Sequence, residues 1–210
     1  MKFFVNLAKF IAPVLLSSAA AHAAVPSEPI RIKGIQYNGS GCPVGSVANN
    51  IASDKQAFTL TFSEYVAEAG PGISLGEGRK NCQLTVVLDV PAGWQFSVAS
   101  FYYRGFMDLD QSMKAEQSAS YYFQGQGFSG SFTSNKVGTY QGDYTYNDNV
   151  GLSSAIWSQC GVERALNVNS SIRVSNLNSR AFPNARGLIT TDSIDGQIKQ
   201  VWGLTWRRCS

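Results

Sequence analysis

Histidine is nearly missing from this chain. Of 210 residues only His22 is one, and it falls in an N-terminal segment with the marks of a removable export signal. Without it the chain holds no imidazole. That excludes Ser-His-Asp and Cys-His nucleophile pairs, histidine metal ligands and a histidine pH switch. Charge is sparse as well, with 15% of residues charged. The basic residues form only short pairs, Arg79-Lys80 and Arg207-Arg208. Such pairs are too small to track a phosphate backbone, so nucleic acid is not an expected partner. No apolar run approaches the roughly 20 residues that span a bilayer, so stable membrane insertion is not expected either.

The export reading rests on the first 23 residues. Lys2 and Lys9 supply a positive start, Phe10 to Leu16 a short apolar stretch, and Ala21-His22-Ala23 an A-x-A cleavage pattern. Residues 1–23 are expected to be a signal peptide and 24–210 a single domain, secreted or periplasmic. Removing the segment leaves 15 basic against 14 acidic residues, a net charge near +1. All four cysteines, Cys42, Cys82, Cys160 and Cys209, lie beyond it. An even count in an exported chain reads as two disulfides. Three pairings are open; Cys42–Cys82 with Cys160–Cys209 is favoured because each would staple neighbouring strands within one half of the chain. No CxxC spacing supports zinc.

Where the sequence has a period, that period is two. Phe58, Leu60 and Phe62 alternate with Thr59, Thr61 and Ser63; Leu84, Val86, Leu88 and Val90 repeat the pattern. Leu166, Val168, Ile172 and Val174 alternate with Asn167, Asn169, Ser171 and Arg173, and Ile198, Trp202, Leu204 and Trp206 with Lys199, Thr205 and Arg207. Further strands are expected over Ile30–Tyr37, Gln95–Arg104, Ser118–Gln124, Thr139–Tyr146 and Ala155–Gln159. Turn signals separate them, including Asn38-Gly39, Pro71-Gly72, Pro91-Ala92-Gly93, Asn147-Asp148-Asn149 and Asp195-Gly196. No stretch carries a helical period beyond two turns. About nine strands joined by short turns predict an all-β protein, a jelly-roll-like antiparallel β-sandwich.

Chemistry then falls to carboxylates, lysine and tyrosine. The acids Glu64, Glu68, Glu77, Asp89, Asp108, Asp110, Asp192 and Asp195 are scattered, and nothing in the spacing brings two together as a glycosidase needs. Asp108-x-Asp110 and the stretch from Asp143 to Asn149 offer oxygen ligands for calcium without EF-hand spacing, and turn-making explains them as well. The glycines around Cys42 lack the GxxxxGK[ST] order of a phosphate loop. Asn38-Gly39-Ser40 and Asn169-Ser170-Ser171 fit the N-glycosylation pattern, which matters only in a eukaryotic source. Arg79, Arg104 and Arg207 suit either buried ion pairs or an anionic ligand, with ion pairs the readier explanation.

Aromatics are the mild excess. Phe101-Tyr102-Tyr103 and Tyr121-Tyr122-Phe123 place rings on both sides of a strand, and Tyr140, Tyr144 and Tyr146 share one face. Tyr102, Tyr103, Tyr122, Tyr140, Tyr144 and Tyr146 are therefore the candidate binding residues, rings with polar tips that suit a saccharide or protein surface. Ordinary sheet packing accounts for such rings too.

Several blocks together carry a family resemblance: Gly41-Cys42-Pro43-x-Gly45-Ser46-Val47, Arg79-Lys80-Asn81-Cys82-Gln83-Leu84, Tyr102-x-Arg104-Gly105, Tyr121-Tyr122-Phe123, Trp157-Ser158-x-Cys160-Gly161, Leu166-Asn167-Val168-Asn169, and Thr191-Asp192-Ser193 running to Trp206-Arg207-x-Cys209. In this order they resemble the DUF4360 family of secreted bacterial and fungal proteins. The resemblance implies export, one domain of this length and four paired cysteines, and it supplies no catalytic residues. The expectation is a secreted, non-catalytic module that binds an extracellular glycan or protein surface without a cofactor or metal. A carboxylate-dependent carbohydrase and a structural envelope or matrix component are the alternatives.

Overall fold

The structure, a computed structural model, describes residues 26–27, 31–51, 53, 57–126, 130–149, 157–191 and 198–209. Residues 1–23 and the Asp195-Gly196 turn lie outside these. The described residues form twelve strands: β1 (Arg31–Asn38), β2 (Val47–Ile51), β3 (Ala57–Phe62), β4 (Val66–Ala69), β5 (Arg79–Asp89), β6 (Trp94–Leu109), β7 (Met113–Phe123), β8 (Gly130–Val137), β9 (Tyr140–Asn149), β10 (Leu166–Asn176), β11 (Gly187–Thr190) and β12 (Ile198–Arg208). All of them pair antiparallel. A five-stranded sheet has the order β1-β5-β10-β7-β8; a seven-stranded sheet runs β2-β3-β12-β6-β11-β4, with β9 added alongside β6. The sheets face each other as a β-sandwich.

Alternation decides which side chains go inside. In β5 the buried positions are Cys82, Leu84, Val86 and Leu88; in β7 they are Met113, Ala115, Gln117, Ala119, Tyr121 and Phe123. The facing sheet contributes Leu60, Phe62, Phe96, Tyr103, Met107 and Ile189. Period-two burial of this kind gives each sheet one dry and one wet face. Rings interlock across the gap, with Phe96 edge-on to Phe123 at 5.0 Å and Tyr103 stacked on Phe132 at 5.2 Å.

Two disulfides fix the ends of this framework. Cys42, on the β1–β2 connection, joins Cys82 of β5; Cys160, ahead of β10, joins Cys209 after β12. The backbone packs tightly at the first bridge. A Cβ on Gly41 would sit 2.3 Å from the Tyr65 ring, so only glycine fits beside this buried tyrosine.

The sequence expectations need four corrections. Asn147, Asp148 and Asn149 form the end of β9 and not a turn, because they pair with Tyr102, Phe101 and Ser100 of β6. Trp157–Gln159 is not a strand; its backbone is irregular, although the Ser158 N–H still donates to the Phe96 carbonyl at 2.9 Å. A bend at Ser63-Glu64 separates β3 from β4, so the strand expected from the alternation of Phe58 to Ser63 stops at Phe62. The strands β2, β4, β8 and β11 are too short or too polar to carry a clear apolar alternation.

Candidate functional site

The six candidate tyrosines part company in the structure. Tyr103 (0% exposed) and Tyr144 (8% exposed) are core residues. The expectation of a ligand-facing ring is corrected for these two: their strand positions point to the facing sheet. Tyr144 and Tyr146 lie together, centroids 4.8 Å apart, and Tyr146 pairs across the ladder with Tyr103. Tyr140 is half-buried under the Lys136 ammonium, 4.5 Å from its ring centre. Burial raises the Tyr146 hydroxyl above the ordinary tyrosine range, opposed by a hydrogen bond with Ser134. These four rings thus serve the sandwich interior along the β8 and β9 edges. Tyr102 sits on the other side of β6. Tyr122 faces outward from the five-stranded sheet, opposite Asn167.

That outward face has a regular chemistry. Register places the side chains in rows running across β5, β10, β7 and β8. One row is Asn81, Ser171, Ser118 and Thr133; the next is Gln83, Asn169, Ser120 and Ser131; a third is Thr85, Asn167 and Tyr122. Neighbours are about 4.8 Å apart across strands and about 6.8 Å along them. Within rows, the Ser118 and Ser171 hydroxyls are 2.9 Å apart, and the Thr85 hydroxyl donates to Asn167 Oδ1 at 2.9 Å. The first two rows border a shallow hollow of about 490 Å³. Every side chain in those two rows is an amide or a hydroxyl. These two rows therefore offer neutral donors and acceptors in a grid set by the register.

Above the grid, Arg79 stands directly opposite Arg173, and Arg173 directly opposite Glu116. Arg79 and Arg173 are exposed, so the expectation of buried ion pairs at Arg79 is corrected. Arg207 is otherwise engaged, stacked 4.3 Å over Trp157 with its Nε donating to Gln95 Oε1 at 2.8 Å. Arg208 lies 4.4 Å over Trp94 in the same way, and the two stacks flank Cys160–Cys209. A smaller hollow of about 260 Å³ at that end is lined by Leu88, Pro91, Trp94 and Phe96, with Glu163 tied to Lys33 at 2.6 Å.

Several carboxylates have local partners. Glu77 pairs with Lys80 and Glu116 with Lys114, each at 2.7 Å, and Asp110 accepts the Arg186 N–H at 2.8 Å. Register sets Asp108 and Asp143 diagonally on the outer face of the seven-stranded sheet, both exposed. Among the described residues, no three potential ligands from His, Cys, Asp and Glu gather around a metal position. No helix among them is long and apolar enough to cross a membrane.

The cysteine-centred blocks that frame this sheet settle the kinship, since the sequence profile of the domain of unknown function DUF4360 matches residues 28–209. The chain belongs to the DUF4360 family. An uncharacterized secreted protein of Arthroderma benhamiae (strain ATCC MYA-4681 / CBS 112371) is 40% identical over 183 residues, covering 87% of this chain and 73% of the relative. With its two disulfides, this DUF4360 chain is a secreted protein. Among solved structures, TmCBM61 in complex with β-1,4-galactotriose aligns with a TM-score of 0.30 and 10% identity, over 85% of this chain and 90% of that one. A family 11 carbohydrate-binding module from Clostridium thermocellum, in complex with a mixed-linked tetrasaccharide, aligns at 0.22 and 8%, over 82% and 91%. Likeness at that level carries no argument about the DUF4360 site, which stands on its own residues.

The trace of the grid in the sequence is Asn167, Asn169 and Ser171, the outward positions of β10, which carry no charge although Asn169 is exposed and only Asn167 is buried.

Proposed function

We propose that this protein is a non-catalytic module that binds an extracellular glycan across the outer face of its five-stranded sheet. The observation that carries the reading is the pair of uncharged rows, Asn81-Ser171-Ser118-Thr133 and Gln83-Asn169-Ser120-Ser131. Glycans present closely spaced hydroxyls that both donate and accept. A fixed array of amides and hydroxyls answers them without the desolvation cost of charge. Tyr122 closes the array at one end with a ring and a hydroxyl, the combination that suits a sugar face.

The test is a glycan microarray probed with the secreted protein, followed by titration of the strongest hit. Alanine at both Asn81 and Asn169 is expected to weaken that hit by about 10-fold or more, with the circular dichroism spectrum unchanged. Tyr122→Ala is expected to weaken it in the same direction. Tyr102→Ala, on the opposite sheet, is expected to leave it alone. A blank array, or binding indifferent to Asn81 and Asn169, overturns the reading.

A further inference from the structure

We infer that Arg79 and Arg173 form an anion site, and that the glycan bound by this face is an acidic one bearing carboxylate or sulfate groups. The inference rests on the glycan-binding reading and adds the charge of the ligand to it.

The pair is costly as it stands. Arg79 opens β5 and Arg173 lies directly across from it on β10, so their side chains leave the same face at adjacent ladder positions. Like charges placed opposite one another destabilise a sheet. Glu116, the other cross-strand neighbour of Arg173, gives only shared relief because it also holds Lys114; Glu77 pairs with Lys80, and Arg79 faces no carboxylate across the ladder. Among the described residues, neither arginine makes an ion pair. Both border a hollow of about 710 Å³ between the 70–78 and 177–185 segments, lined largely by apolar residues such as Ile73, Leu75, Val174 and Pro183, with Ser74, Ser175 and Ser179 among its polar ones. Arg79 also borders the hollow over the amide and hydroxyl rows.

The arginines therefore join two recesses, one beside the loops and one over the neutral grid. A guanidinium presents parallel N–H donors that match the two oxygens of a carboxylate or sulfate. An acidic saccharide would set its anion between Arg79 and Arg173, removing their repulsion, and lay its hydroxyls along Asn81, Ser171 and Ser118. A neutral saccharide satisfies only the second half of the surface.

Polygalacturonate and its fully methyl-esterified counterpart test this, because esterification removes the charge and keeps the backbone. Affinity electrophoresis and calorimetry on the secreted protein are expected to show tighter binding to the acid form by about 10-fold, weakening with added sodium chloride. Arg79→Gln and Arg173→Gln, both at exposed positions, are each expected to reduce acid-form binding by about 10-fold, and Arg173→Gln, which does not border the hollow over the rows, is expected to leave ester binding unchanged. Equal binding of acid and ester, or arginine variants that match the parent, overturns the anion site while glycan binding through the grid survives. Poly-glutamate bound as tightly as polygalacturonate overturns the glycan assignment and makes the site one for acidic peptides. If both polymers and the microarray stay blank, the underlying reading falls with it.

Discussion

Thr191 donates its hydroxyl to Gln117 Oε1 at 3.1 Å, a hydrogen bond that crosses the sandwich from one sheet to the other with both residues at 0% exposure. It is the middle of a chain. The Tyr144 and Thr191 hydroxyls are 3.4 Å apart, Gln117 Nε2 donates to Ser170 Oγ at 3.3 Å, and the Tyr65 hydroxyl reaches the same Ser170 oxygen at 3.1 Å. Five side chains from both sheets thus share one buried polar network, and the sheets lock in a single alignment through it.

Removing its centre exposes the cost of orphaned partners. Gln117→Leu keeps the volume and leaves Thr191 and Ser170 each without one of its hydrogen bonds. Loss of stability of about 2 kcal/mol is expected, read as a lower urea midpoint at unchanged slope. Adding Thr191→Val is expected to deepen it, since the buried Tyr144 hydroxyl, 3.4 Å from Thr191, then loses its partner as well. A single variant as stable as the parent would show that the network does not join the sheets.

The two tyrosines that end the network give it a pH signature. Burial drives the Tyr65 and Tyr144 hydroxyls well above the ordinary tyrosine range, and their hydrogen bonds to Ser170 and Thr191 offset this only in part. The folded state then holds its phenolic protons to higher pH than the unfolded chain, whose tyrosines titrate near about pH 10. Stability from these groups is fully present below about pH 10 and is lost as pH rises through their folded values. Urea unfolding across an alkaline series is expected to show a plateau and then a decline. Tyr65→Phe is expected to make the decline shallower; an equally steep decline would assign it to other groups.

The same network marks the boundary of what the sequence discloses. Leu166, Val168, Ile172 and Val174 announce β10 and its buried side, and the gap at Ser170 in that pattern is the trace of the network. A serine in an apolar row does not say which partners meet it: Gln117 is 53 residues away and Tyr65 is 105. Strand existence and the wet and dry faces follow from alternation, a local property. Register is a long-range one, and both the grid and the Arg79–Arg173 pair exist only through register. The tyrosines mislead for a related reason. Tyr102 and Tyr103 take opposite faces as neighbours must, but which face is dry depends on the sheet beyond.

Burial also separates the two disulfides. Cys42 and Cys82 are each 1% exposed, whereas Cys160 is exposed and Cys209 half-buried. Thiol–disulfide exchange needs access for the attacking thiolate. Mild reductant on the folded protein is expected to open Cys160–Cys209 first, with Cys42–Cys82 reacting only as the protein unfolds. Alkylation and peptide mass spectrometry read the order. Serine at both Cys160 and Cys209 removes a link of sequence separation 49, at a cost of up to about 4 kcal/mol in the chain-entropy account. Simultaneous reduction of both bridges under native conditions would contradict this order.

Arg79→Glu sets stability and binding against each other. The new carboxylate faces Arg173 across the ladder, turning a repulsive cross-strand pair into an attractive one. Glu116 lies on the far side of Arg173, and its own cross-strand contact with that arginine is kept. A net gain of about 0.5 kcal/mol is expected, visible as a slightly higher melting temperature. Binding of polygalacturonate is expected to fall below that of Arg79→Gln, because Arg173 then faces a carboxylate that competes with the glycan for it. A variant that is both more stable and unimpaired in binding would show that the pair is a tolerated surface defect. One that is more stable and deaf to acidic glycans shows why the repulsion is kept.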